Sequence, residues 1–132
     1  MSLNREIPAR DLGYQVPQVL RKRVTFETEG EAVVVGTIPA GASVIGGGIH
    51  VVTAFDDTAT VDVGFAGGSS TDDPDAYGSA LAATAIGFIA LDGLAGTTNI
   101  QQTVDTQVTA TVNDGTGAVS AGEADVIIQY VA

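Results

Sequence analysis

The chain has 132 residues and a mass of 13.3 kDa, enough for one domain with a sizeable core. It contains no Cys, no Trp and one His, which excludes a disulfide framework, a thiol nucleophile, a Cys-based zinc site and a multi-His metal centre. Five basic residues against sixteen acidic ones give a formal charge of -11, while an apolar content of 45% and a mean hydropathy of +0.28 separate the chain from disordered compositions.

The first 23 residues read as an extended basic arm. All five bases lie there (Arg5, Arg10, Arg21, Lys22 and Arg23), with only Glu6 and Asp11 in opposition, so the segment is +3. Pro8, Gly13 and Pro17 interrupt any helix or central strand, because proline lacks an N–H and fixes φ. Residues 24–132 hold the other fourteen acids and no Lys or Arg, so they are -14. That body has nothing to neutralise phosphate and repels nucleic acid and anionic lipid. The arm is instead suited to an acidic protein surface, a sibling copy included. No apolar run reaches the ~18 residues of a membrane helix, and no basic-then-apolar secretion signal opens the chain.

From Val24 onward, Val, Ile and Thr dominate, and period-two alternation begins. Val24, Phe26 and Thr28 share one strand face, and Glu29-Gly30-Glu31 makes a turn. Residues 32–38 form a second strand, ended by Pro39-Ala40-Gly41. Residues 44–55 form a third, in which Gly46, Gly47 and Gly48 mark a bulge or close packing. Asp56-Asp57 turns the chain into 59–65, where Ala59, Val61, Val63 and Phe65 alternate with polar residues. Residues 66–75 make a polar loop. Asp73 before Pro74 has the form of an N-cap with proline at the first helical position, so the Ala-rich stretch 75–84 is expected to be a short helix. Short strands follow at 86–91 and 100–103. The segment 104–112 points Val104, Thr106, Val108, Ala110 and Val112 inward and Asp105, Gln107, Thr109 and Thr111 outward. Asn113-Asp114-Gly115-Thr116-Gly117 is a turn. The strand 122–131 closes the chain, apolar on Ala124, Val126, Ile128 and Tyr130.

Seven or eight short strands with little helix make an all-β antiparallel β-sandwich behind an extended N-terminal arm, with jelly-roll connectivity preferred. Its domains divide as arm 1–23 and sandwich 24–132. An immunoglobulin-like sandwich lacks its Cys and Trp landmarks here.

Catalytic and binding motifs do not assemble. His50 lies mid-strand with no nucleophile motif to serve, and reads as an ordinary strand side chain. Asp72, Asp73 and Asp75 offer hard oxygen ligands for calcium, but without the twelve-residue loop spacing or its closing Glu; capping and solvation account for them better. Asp56 and Asp57 are adjacent on an extended chain and point to opposite faces, so they read as a turn and not as a catalytic pair. The triple glycine lacks the Lys and Ser/Thr of a phosphate loop. Tyr14, Tyr77 and Tyr130 are too dispersed for a sugar-stacking platform. No cofactor, no metal and no catalytic residue is expected.

Gly36 to Gly41 (GTIPAG), Val52 to Asp56, Val63-Gly64, Asp73 to Tyr77 and Gly122 to Val131 occur in an order that resembles small virion proteins encoded beside the capsid genes of tailed bacteriophages. The resemblance spans residues 24–132 and leaves the arm unplaced. It implies a non-catalytic decoration or cement protein on the capsid surface of a virion. Its partners would be the major capsid protein or other virion proteins and further copies of itself, with a trimer favoured. Arg5, Arg10, Arg21, Lys22 and Arg23 are the expected partner-binding residues of the arm. The alternatives are a receptor- or glycan-binding module of a head spike or tail fibre, and a hydrolase on a jelly-roll scaffold.

Overall fold

The computed structural model describes residues 16–96 and 100–132. Eight strands follow in order: β1 Gln18–Thr25, β2 Ala32–Ile38, β3 Ser43–Thr53, β4 Thr60–Ala66, β5 Asp73–Ala82, β6 Gly87–Ala90, β7 Thr106–Asn113 and β8 Glu123–Val131. They build two four-stranded sheets, ordered β1-β8-β3-β6 and β2-β7-β4-β5. Every pairing of named strands is antiparallel. The chain thus passes repeatedly from one sheet to the other and brings β8 back beside β1, which is the double Greek key of a jelly roll.

The core follows from alternation on the four central strands. Ile49 and Val51 of β3, Val61, Val63 and Phe65 of β4, Val108, Ala110 and Val112 of β7, and Ala124, Val126 and Ile128 of β8 are all buried between the sheets. Each fully buried Val or Ile contributes about 1.5–3 kcal/mol relative to exposure. With few aromatics, β-branched residues do most of the filling, and their stiff χ1 suits a pleated surface. Phe65 and Tyr77 make one tilted ring pair, centroids 5.8 Å apart. Burial pushes the Tyr77 phenol up to about 12.

Three elements depart from expectation. The stretch 75–84 is no helix: residues 73–82 form β5, an edge strand against β4. Helix propensity favours Ala over other residues by under about 1 kcal/mol each. Pairing with β4 satisfies the backbone and buries Ala76, Tyr77 and Leu81. Two register shifts hide the period of two, and Ala80 takes a φ of 51° with its N–H donating to Asp62 Oδ1 at 2.7 Å. Pro74 is tolerated because an edge strand has no ladder bond to lose there.

The first strand lies earlier than expected. β1 pairs with β8 from Gln18↔Tyr130 to Thr25↔Glu123. Phe26–Thr28 is a 3-10 turn, with the Thr25 hydroxyl accepting from the Glu27 N–H. Residues 18–23 are therefore sheet, where they cover an edge of β8 that would otherwise be open; residues 1–15 lie outside the described part. At 100–103 only one isolated bridge forms, Ser43 to Gln101. β7 starts at Thr106, leaving Val104 exposed and Asp105 accepting from the Ala40 N–H at 2.9 Å. Thr109, expected to face water, is buried.

Candidate interaction surface

The register of the β1-β8-β3-β6 sheet sets out its outer face in rows. Arg23 stands opposite Asp125, Asp125 opposite His50, and His50 opposite Phe88. Beside that row, Arg21 stands opposite Ile127, Ile127 opposite Gly48, and Gly48 opposite Ala90. Arg21 and Arg23, two residues apart, share this face as strand geometry requires.

Alternation sends Asp125 outward, yet its side chain is only 4% exposed because two guanidiniums lie on it. Arg21 Nη2 donates to Oδ2 at 2.6 Å, and Arg23 donates Nε to Oδ1 at 2.8 Å and Nη2 to Oδ2 at 3.2 Å. Arg23 Nη1 also reaches Glu123 Oε2 at 3.0 Å. Hydrogen bonds from Arg23 and then Arg21 outweigh burial and hold the Asp125 carboxyl at about 2. Hydrogen bonding to Asp125 raises Arg23 in turn. The two arginine side chains remain open to solvent, at 65% for Arg21 and 45% for Arg23. Lys22 lies opposite Val126 on the inward side of the edge strand, exposed and without an ion pair to another described residue. A charge in that place discourages edge-to-edge pairing.

Of the five basic residues of the expected arm, the structure thus gathers Arg21, Lys22 and Arg23 on one sheet edge; Arg5 and Arg10 lie outside the described residues. The carboxylate that organises them, Asp125, was not among the expected site residues. Asp125 occupies an outward position of the last strand, beside the unbroken apolar period of Ala124, Val126, Ile128 and Tyr130, and only the pairing of β1 with β8 brings the two arginines to it.

The other candidates do structural work. His50 is exposed on β3 and its imidazole makes no hydrogen bond to a described residue, while Ser79 and Ser120 bond to Asp75 and Asp56. Asp56 accepts from the Ser120 N–H and hydroxyl and the Ala121 N–H. Asp57 accepts from the Gly117 N–H at 2.6 Å, the Thr116 hydroxyl at 2.9 Å and the Thr116 N–H at 3.2 Å. These bonds lower both carboxyls below the usual range, led by Ser120 for Asp56 and Gly117 for Asp57. The pair is a double clamp on the β7–β8 loop. Asp57→Ala should speed amide hydrogen exchange at Thr116 and Gly117 while leaving Val126 and Ile128 protected; unchanged loop exchange would remove this role.

Asp72 accepts from the Gly67 N–H at 2.9 Å, Asp73 from the Asp75 N–H at 3.4 Å, and Asp75 from the Ser79 hydroxyl at 3.3 Å. Hydrogen bonding to Asp75 raises Asp73. Among the described residues, no three His, Cys, Asp or Glu groups are placed to hold a metal ion. Tyr77 and Tyr130 are both buried.

Three solved structures share this fold. A chain of the cyanophage Pam1 capsid asymmetric unit superposes with a TM-score of 0.66 at 23% identity, covering 98% of this chain and 95% of that one. A chain of the capsid of Ralstonia phage GP4 gives a TM-score of 0.63 at 19% identity, covering 96% and 90%. A chain of the acidic stable capsid structure of Helicobacter pylori bacteriophage KHP30 gives 0.52 at 19% identity, covering 89% and 88%. Neither a protein family nor a curated protein matches the chain. At these identities the likeness is one of fold. It takes in nearly all of both chains, so the shared unit is the jelly roll as a whole.

Proposed function

We propose that this chain is a non-catalytic structural protein of a phage virion that binds the outside of the capsid and decorates or stabilises it. The observation that carries this reading is the end-to-end likeness of the jelly roll to chains from capsid structures of three phages. The physics agrees with it. A two-sheet sandwich with its core on central strands is a rigid unit, and an arm or edge lets a small domain gain contact area without enlarging that core. The partners are the major capsid protein and other copies of the chain, with a trimer favoured. The basic residues Arg5, Arg10, Arg21, Lys22 and Arg23 make the salt-sensitive contacts.

Removing residues 1–15 leaves β1 intact and tests the arm. Binding to shells of the encoding phage that lack this protein should weaken by about tenfold or more, equivalent to ~1.4 kcal/mol. Undiminished binding would remove the arm from the interface. Absence of the full-length protein from the outer surface in a particle map would overturn the capsid reading itself.

A further inference from the structure

The outer faces of the two sheets differ in character. Seven large hydrophobic side chains are exposed among the described residues. Four of them, Val19, Ile45, Val52 and Phe88, lie in strands of the β1-β8-β3-β6 sheet. The other sheet contributes only Val34, while Ile86 and Val104 lie between strands. Ile45 and Val52 sit at the two register shifts of β3, where the chain departs from simple pairing. The opposite sheet turns Gln107, Thr111 and Asn113 of β7 outward beside Thr37, Asp62 and Thr60, a polar surface.

The apolar face is also shaped for contact. Gly48 leaves its centre without a side chain, and a Cβ there would lie 2.7 Å from the Phe88 ring and 2.2 Å from the Ile89 carbonyl oxygen. Phe88 therefore lies across Gly48 as an aromatic anchor held in place, although 59% of it remains exposed. An anchor ordered before contact loses little entropy on binding.

Charge selects the occupant. The described residues contain three cations, Arg21, Lys22 and Arg23, all on β1 at the border of this face. Glu123 and Asp125 answer the two arginines, and the +1 that remains along this edge strand is Lys22, exposed from the strand's inward side, on a domain that is otherwise acidic. Arg21 spends one N–H on Asp125 and has further donors free for another carboxylate.

We infer that the outer face of the β1-β8-β3-β6 sheet is the docking face of this domain, and that its occupant is a protein surface with an apolar centre bordered by carboxylates. This rests on the capsid reading, in which that surface belongs to the shell protein. Phe88, Val19 and Ile45 supply the apolar contact. Arg21, Lys22 and Arg23 set register and association rate, since border charges act mainly on approach.

The test compares full-length variants on the same unloaded shells. Phe88→Glu and, separately, Val19→Glu add a negative charge to the proposed face; Val34→Glu adds the same charge to the opposite sheet. Melting temperatures check that each variant folds. The two face variants should each bind about 30-fold or more weakly, as expected for anchor residues of an interface, with Val34→Glu within about threefold of wild type. A triple Ala variant of Arg21, Lys22 and Arg23 should bind with a flatter salt dependence. If the wild type binds and the face variants bind equally well, the docking face is wrong and the capsid reading stands. If the wild type does not bind, both fall. If Phe88→Glu alters only self-association, seen by light scattering without shells, the occupant is a second copy and this inference is overturned.

Discussion

Gly47→Ala should cost about 4 kcal/mol of unfolding free energy and lower the melting midpoint by about 10–15 °C. Gly47 sits in β3 with φ at +133°, a region that residues with a Cβ hardly enter. An added methyl would stand 2.1 Å from the Ile127 carbonyl oxygen and 3.1 Å from the Ile128 Cα. Both are backbone of β8, so neither can rotate away. The glycine thus answers two demands at once: a backbone bent beside the bulge between Val44 and Gly46, and close approach of the two central strands of one sheet. Its carbonyl also accepts from the Leu91 N–H at 3.0 Å, which ties the end of β6 to the same point. Local strain contributes about 1–3 kcal/mol and the overlap a similar amount. Gly30→Ala is the control. Gly30 also has a positive φ, +80°, but open space around it, so only the left-handed penalty of about 1–2 kcal/mol applies. Equal melting shifts for the two variants would show that the close approach to β8 has no energetic weight.

The same contrast explains which parts of the fold were legible beforehand. Where a strand is central, its inward residues meet two neighbours and a facing sheet, and selection for apolar side chains leaves a clean period of two. Residues 59–65, 104–112 and 122–131 were of this kind, and the strands they announced, β4, β7 and β8, are present within a residue or two at their ends. β5 is an edge strand with two register shifts, so its buried residues Ala76, Tyr77, Gly78 and Leu81 do not alternate. Local propensity then had no competing pattern, and an Asp-Pro pair ahead of an alanine run imitates a helix start. β1 failed for another reason. Its outward positions carry Arg21 and Arg23, its inward Lys22 is exposed, and Val24 is its only buried residue. The charges that mark an edge strand are the ones that made it resemble a solvated arm. The Asp125 cluster was hidden by the same misplacement: until residues 18–23 are paired with β8, nothing brings an arginine near residue 125.

Asp125→Asn should therefore remove stability at neutral pH and leave little difference in strong acid. The Asp125 carboxyl titrates at about 2 in the folded chain against an ordinary value of 3.8. A depressed folded pKa means that the ionised form is favoured by folding. The stabilisation is then complete above about pH 5 and fades as pH falls toward 2. The shift alone would correspond to about 2 kcal/mol. Both arginine side chains reach water, and solvent screening brings the expected contribution to about 1–2 kcal/mol. Asp56 and Asp57 are lowered too and add to the acid slope of the wild type, whereas Asp73 is raised and acts in the opposite sense. Subtracting the variant from the wild type cancels those three and leaves Asp125. Urea unfolding at a series of pH values should show the two proteins about 1–2 kcal/mol apart at pH 6 and converging as pH nears 2. A gap that stays constant with pH would mean that Asp125 contributes by packing beneath the arginines and not by charge.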